Sequence, residues 1–200
     1  MGSRSYGPDP ATVVAYAGAF ADGLRKGGVV PTLKHFPGHG SANGDTHKDD
    51  AVTDSWEVVA QRDVPVYTQL LAQPGPWLVM MGHLVVPGLT GTEGLPTSLD
   101  PAAYRALRET TGFNGPVITD DVTLMGAVND RVPPSDAVVT AFAAGADLVM
   151  MSDTEHYGEA AKALTQWGDA DPANHARLVA SALRTMSVMP CANDARLGSP

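Results

Sequence analysis

Cysteine is almost absent from this 200-residue chain: Cys191 stands alone, which excludes an internal disulfide. Basic residues are scarce as well, 13 against 22 acidic ones, for a formal charge of −9. With no Lys- or Arg-rich run to neutralise phosphates, nucleic acid is not an expected partner. Long apolar runs are missing too. The longest, Pro76 to Leu89, is too short to cross a bilayer and contains His83. The N-terminal MGSRSYGPDP lacks the charged-then-apolar pattern of a secretory signal, so the chain as written reads as cytoplasmic. An exported protein shorn of its signal would read the same way.

What the chain has is an alternation of helical segments and short apolar runs, the rhythm of α/β units. Asp9 can cap a helix that Pro10 opens, with Val13, Ala17, Phe20 and Leu24 at helical spacing until Gly27-Gly28. Val29 to Leu33 then reads as a buried strand. The pattern repeats three times: a helix over Val58 to Leu71 before a strand at Trp77 to Met81, a helix from Asp100-Pro101 to Thr110 before Pro116 to Thr119, and a helix over Ser135 to Ala144 before Asp147 to Met151. Two amphipathic helices, Glu155 to Trp167 and Pro172 to Met186, complete the series, and the tail 190–200 reads as disordered. The strands are apolar on both faces, as in a parallel sheet covered by helices. Each ends in polar residues, Lys34-His35, Gly82-His83, Asp120-Asp121 and Ser152-Asp153, where α/β proteins place their chemistry.

The densest cluster of such chemistry is KHFPGHGSANGDTHKDD, Lys34 to Asp50. His47 follows Asp45 by two residues on a glycine-rich loop, where the carboxylate can fix the imidazole tautomer for acid/base work. Asp120 or Asp121, at the end of an apolar strand, could act as a nucleophile if neighbouring donors keep it ionised. Lys34 and His35 could supply such donors or bind hydroxyl groups. Bland alternatives stand beside these. A histidine in such a loop can simply order it, and vicinal aspartates often cap the next helix. His35, His39, Asp45, His47 and Asp49 also include zinc or manganese ligand types, but Pro37 and Gly38 keep His35 and His39 off a common helical face.

The run Lys34-His35-Phe36-Pro37-Gly38-His39-Gly40, followed by Asp45-Thr46-His47, resembles the signature of glycoside hydrolase family 3, in its β-N-acetylglucosaminidase branch. Gly112-Phe113-Asn114-Gly115-Pro116-Val117-Ile118-Thr119-Asp120-Asp121 resembles the family segment carrying the nucleophile, and Arg4-Ser5-Tyr6-Gly7 with Asp9-Pro10 resembles a third. The resemblance implies that Asp120 is the nucleophile and that His47, assisted by Asp45, is the acid/base. It makes Arg4, Lys34 and His35 contacts to a terminal β-linked N-acetylglucosamine. It implies retaining hydrolysis without metal or organic cofactor, with phosphate as an alternative acceptor in some relatives, and peptidoglycan-derived saccharides as substrates.

The family's catalytic domain is an eight-stranded barrel, so the expected fold is α/β, a partial (β/α)8 TIM barrel of about four βα units, its second half, with added C-terminal helices. Residues 1–189 would form the C-terminal part of that domain. A half barrel would leave sheet edges open to self-association and half of the sugar pocket missing, with weakened activity. The competing readings are a non-catalytic half-barrel that serves as an interaction protein, a metal-dependent hydrolase using His35, His39 and His47, and a glycosidase for another β-sugar. Relatives occur in the cytoplasm and as envelope lipoproteins.

Overall fold

Three of the helices begin where an aspartate is followed by proline. The Asp9, Asp100 and Asp171 carboxylates accept the amides of Thr12, Ala102 and Ala173, and the next residue, which needs no amide partner, is proline each time. In this computed structural model, which describes residues 5–91 and 95–189, the chain runs α1 (Pro10–Lys26), β1 (Thr32–Phe36), β2 (Ala51–Val52), α2 (Trp56–Arg62), α3 (Val64–Leu71), β3 (Leu78–Met81) and β4 (Leu84–Val85). It continues through α4 (Pro101–Thr111), β5 (Val117–Asp121), α5 (Gly126–Asn129), α6 (Pro134–Ala144), β6 (Leu148–Met150), α7 (Tyr157–Ala170) and α8 (Pro172–Val188). Arg4 and the tail 190–200 lie outside the described residues.

The four expected strands form one parallel sheet in the order β1-β3-β5-β6, the sequential winding of βα units. Helices cover one face, where Val79, Met81 and Val117 meet Leu107 and Tyr104 of α4, Val138 and Ala141 of α6, and Val64 and Tyr67 of α3. Burying a side chain such as Leu107 contributes about 1.5–3 kcal/mol. The other face carries the row Lys34, Met80, Ile118 and Leu148, which lie in register across the strands. Ile118 and Leu148 are only partly buried there, although Met80 is buried, whereas Val79 and Val117 on the helical face are fully buried. The sheet is thus covered on one side and open on the other, with β1 and β6 at its edges.

Two expectations need correction. The first strand starts at Thr32 rather than Val29, because Val29 is still engaged in the turn that closes α1. Its amide donates to the Leu24 carbonyl, and Gly28 donates to Arg25. The strand then extends through Lys34-His35 to Phe36. The single helix expected over Val58 to Leu71 is two helices that break at Asp63. Pro65 has no amide to donate, and its ring would clash with the carbonyl one turn earlier. The parallel pair β2–β4 and the short α5 were not foreseen: two-residue strands and a one-turn helix are too brief to show periodicity.

Candidate active site

A strand turns successive side chains to opposite faces, and at the end of β5 this separates the two aspartates. Asp121 turns toward the following loop. Its Oδ1 accepts from the amide of Thr123 at 2.7 Å, the Thr123 hydroxyl at 2.6 Å and the amide of Leu124 at 3.3 Å. Thr123 Oγ1 in turn accepts the amides of Ser152 and Asp153. The turn-capping role open to either aspartate therefore falls to Asp121. Asp120 lies on the open face, its side chain 16 % exposed, with Oδ2 3.2 Å from Nε2 of the buried His35.

Burial alone would raise the Asp120 carboxyl, but the close contact with His35 and its charge, with the Asp121 amide at 3.0 Å, outweigh it and hold the group at about 2. Asp120 is thus an ionised carboxylate at neutral pH, set against a half-open face, as a nucleophile must be. The ring of His39 meets His35 edge-on, 5.7 Å between centroids, and burial pushes the His39 imidazole down. Lys34, the neighbour of His35 on β1, is exposed.

His83, a polar strand end in the sequence, gains a role from the structure. It is fully buried just beyond β3, between β1 and β5. Its Nε2 donates to the Asp121 carbonyl at 2.8 Å, so Nδ1 is left to accept from the Ser98 hydroxyl at 2.7 Å. Burial pushes its imidazole down, consistent with a neutral ring that braces the backbone behind Asp120. A histidine in an apolar run gives no hint of this job.

The Asp45–His47 pair forms as the spacing suggested, with Nδ1 2.9 Å from Oδ1, and both side chains are more than half exposed. The hydrogen bonds from the His47 side chain and amide hold Asp45 below its ordinary carboxylate range. With Nδ1–H donated to Asp45, Nε2 is the nitrogen free to exchange a proton. The structure brings together His35 with Asp120, and Asp45 with His47; among the described residues the carboxylate within 4.0 Å of His47 is that of Asp45. No group of three His, Cys, Asp or Glu side chains assembles into a metal site among the described residues, so the His35, His39 and His47 cluster does not form as a ligand set.

The loop bearing the pair is fastened at several points. Its start is pinned by Gly38 against Asp63, and its exit by β2 beside β4, where Thr53 donates to Val85. Its middle rests on α5, directly after the Asp120 strand. Ala127 donates to the Thr46 carbonyl and Gly126 to the His47 carbonyl, both at 3.3 Å, and Arg131 pairs with Asp50. A Cβ at Gly126 would lie 2.6 Å from the Lys48 carbonyl oxygen, so only glycine allows this approach.

The parallel α/β sheet thus carries an ionised carboxylate at the carboxyl end of β5 and a His-Asp pair on the loop that follows β1, the end of the sheet at which barrel-like α/β scaffolds place their chemistry. The model of the glycosyl hydrolase family 3 N-terminal domain matches residues 1–188, and the chain belongs to that family. It is 48% identical over 160 residues to the beta-hexosaminidase LpqI of Mycobacterium tuberculosis, covering 78% of this chain and 40% of that protein. It is 33% identical over 159 residues to a beta-hexosaminidase of Tolumonas auensis, covering 75% and 44%. The crystal structure of a family 3 glycosyl hydrolase from Mycobacterium smegmatis superposes with a TM-score of 0.89 at 44% identity, covering 94% of this chain and 57% of that one. The chain thus spans about half the length of these relatives. Among the described residues no helix is long and apolar enough to cross a membrane.

Two outcomes follow from the geometry. His35→Leu removes the donor to Asp120, and the carboxyl titration followed by carbon-detected NMR should rise from about 2 to near or above its ordinary value of about 4. Because the folded-state value lies below the unfolded one, the contact's stabilisation is complete above about pH 4 and is lost as pH falls toward 2; the variant should lack that acid-side loss. Gly126→Ala should lift the loop from α5 and speed hydrogen exchange at the Lys48 and Asp49 amides by about tenfold or more. Unchanged exchange would mean that the loop's position does not depend on this contact.

Proposed function

We propose that this chain supplies the nucleophile and the acid/base of a retaining β-N-acetylhexosaminidase that removes terminal β-linked N-acetylglucosamine, with peptidoglycan-derived saccharides as substrates. The observation that carries this is the separation of Asp120, held ionised on the open face, from Asp121, which is spent on the turn. Asp120 attacks the anomeric carbon, forming a C–O bond as the glycosidic C–O bond breaks, while Nε2 of His47 gives its proton to the departing oxygen. His47 then takes a proton from water, which displaces the Asp120 carboxylate and releases the sugar. Asp45 retains the Nδ1 proton throughout. Carriage on a loop lets His47 move against the glycosidic oxygen as the loop closes. His35 and Lys34 on β1 bind the sugar's hydroxyls, as does Arg4.

The test is turnover of 4-nitrophenyl N-acetyl-β-D-glucosaminide by the folded chain. Asp120→Asn should abolish it. His47→Ala should cost roughly 10²–10⁴-fold on glycosides with poor leaving groups and far less on the nitrophenyl glycoside, whose leaving group needs no proton. Undiminished turnover in Asp120→Asn would refute the assignment.

The open sheet face supports self-association. β1 and β6 lie at the sheet's edges, and the outermost helices expose Tyr16 and Phe20 on α1 and Val179, Leu183 and Met186 on α8. A second copy placed with its β1 beside β6 would continue the parallel sheet. Sedimentation should show a dimer or larger species at micromolar concentration; a stable monomer counts against it.

A further inference from the structure

At the opposite end of the sheet, where β5 and β6 begin, Asp147 is completely buried beneath three arginines. Its carboxylate receives the Val117 amide at 3.0 Å, the Ser181 hydroxyl at 3.0 Å, Arg108 at 3.4 Å, Arg177 at 3.3 Å, and Arg184 twice, at 3.0 and 2.8 Å. A carboxylate offers about four lone-pair sites, so it is oversubscribed. One negative charge faces three guanidinium groups whose side chains are only 22–33% exposed. Burial, the first cause, and then the neighbouring Arg184 and Arg177 push the Arg108 guanidinium down, against the pull of Asp147.

Above this cluster lies a pocket of about 260 Å³, lined by Arg108, Arg177 and Arg184 together with Arg105, Glu109 and Tyr104. Four guanidinium groups against the carboxylates of Asp147 and Glu109 leave a surplus of two positive charges in a chain whose net charge is −9. Among the described residues Arg105 makes no protein hydrogen bond, and the bonds of Arg184 to Asp147 use Nε and Nη2, leaving Nη1 for another acceptor. A single arginine would satisfy a buried aspartate. Here Arg108 also donates to the Phe113 and Gly115 carbonyls and Arg177 to the Ala146 carbonyl, so the donors left for a ligand are those of Arg105 and Nη1 of Arg184, planar groups suited to the oxygens of a tetrahedral oxyanion, with the charge of the other two behind them.

We propose that this pocket binds a doubly charged phosphate group, free or as the monoester of a small molecule. Its place at the amino ends of the strands separates it from Asp120 and His47, so the ligand would be a stabiliser or effector rather than a reactant. The claim stands independently of the hydrolase assignment.

Thermal unfolding of the chain in inorganic phosphate, in glucose 6-phosphate and in sodium chloride of equal ionic strength tests it. At roughly tenfold saturation a phosphate ligand should raise Tm by about 3 °C over the chloride control. The rise should vanish in Arg105→Gln, an exposed position whose loss leaves the Asp147 network intact, and in Arg184→Gln. It should persist in His47→Ala, which places it outside the hydrolytic site. A larger rise with the sugar ester identifies a monoester ligand, and an equal one identifies free phosphate. No rise beyond chloride, or a rise that survives both arginine substitutions, overturns the proposal.

Discussion

The contact between His35 and Asp120, 3.2 Å from Nε2 to Oδ2, reaches from the first strand of the sheet, past the second, to the third. It can form only if β1, β3 and β5 are parallel, in sequential order and in the observed register, since a one-residue slip would turn Asp120 into the helical layer. The contact therefore couples the tertiary fold to the charge state of one carboxylate. Helix packing on Val79, Met81 and Val117 holds the strands in place, and the buried His83 fixes the Asp121 carbonyl just behind. Together they keep Asp120 ionised without satisfying it fully, which leaves it available to an electrophile.

The pair proposed as the acid/base is built on the opposite principle. His47 and Asp45 are exposed, and their loop is fastened to its neighbours chiefly through backbone contacts and one peripheral ion pair. Such contacts are individually weak and can open without disturbing the core. In the proposed mechanism a fixed nucleophile and a movable proton donor suit a two-step displacement. The donor must approach the leaving oxygen, withdraw, and then admit water to the same face.

Much of this was legible in the residues. The Asp-Pro helix starts, the apolar strands and the Asp45–His47 pair are local features, and local patterns reveal them. Spacing does not separate Asp120 from Asp121; strand alternation puts them on opposite faces once β5 is known to extend to Asp121. The roles of His83, which sequence marks only as a polar strand end, and of Gly126 depend on partners 38 residues and about 80 residues away in sequence, respectively, beyond the reach of local patterns. The split at Asp63 is foreshadowed by Pro65, although the apolar pattern runs on across it. The Asp147 network is likewise non-local, joining α4, β5, β6 and α8.

The central claim is that Asp120, and not Asp121, bonds to the sugar. Incubating the folded chain with a fluorinated N-acetylglucosaminide that carries an activated leaving group would trap the covalent intermediate, and peptide mass spectrometry would locate it. A glycosyl adduct on Asp120 is the predicted result. An adduct on Asp121 or any other residue, or turnover without a trappable adduct, would contradict it.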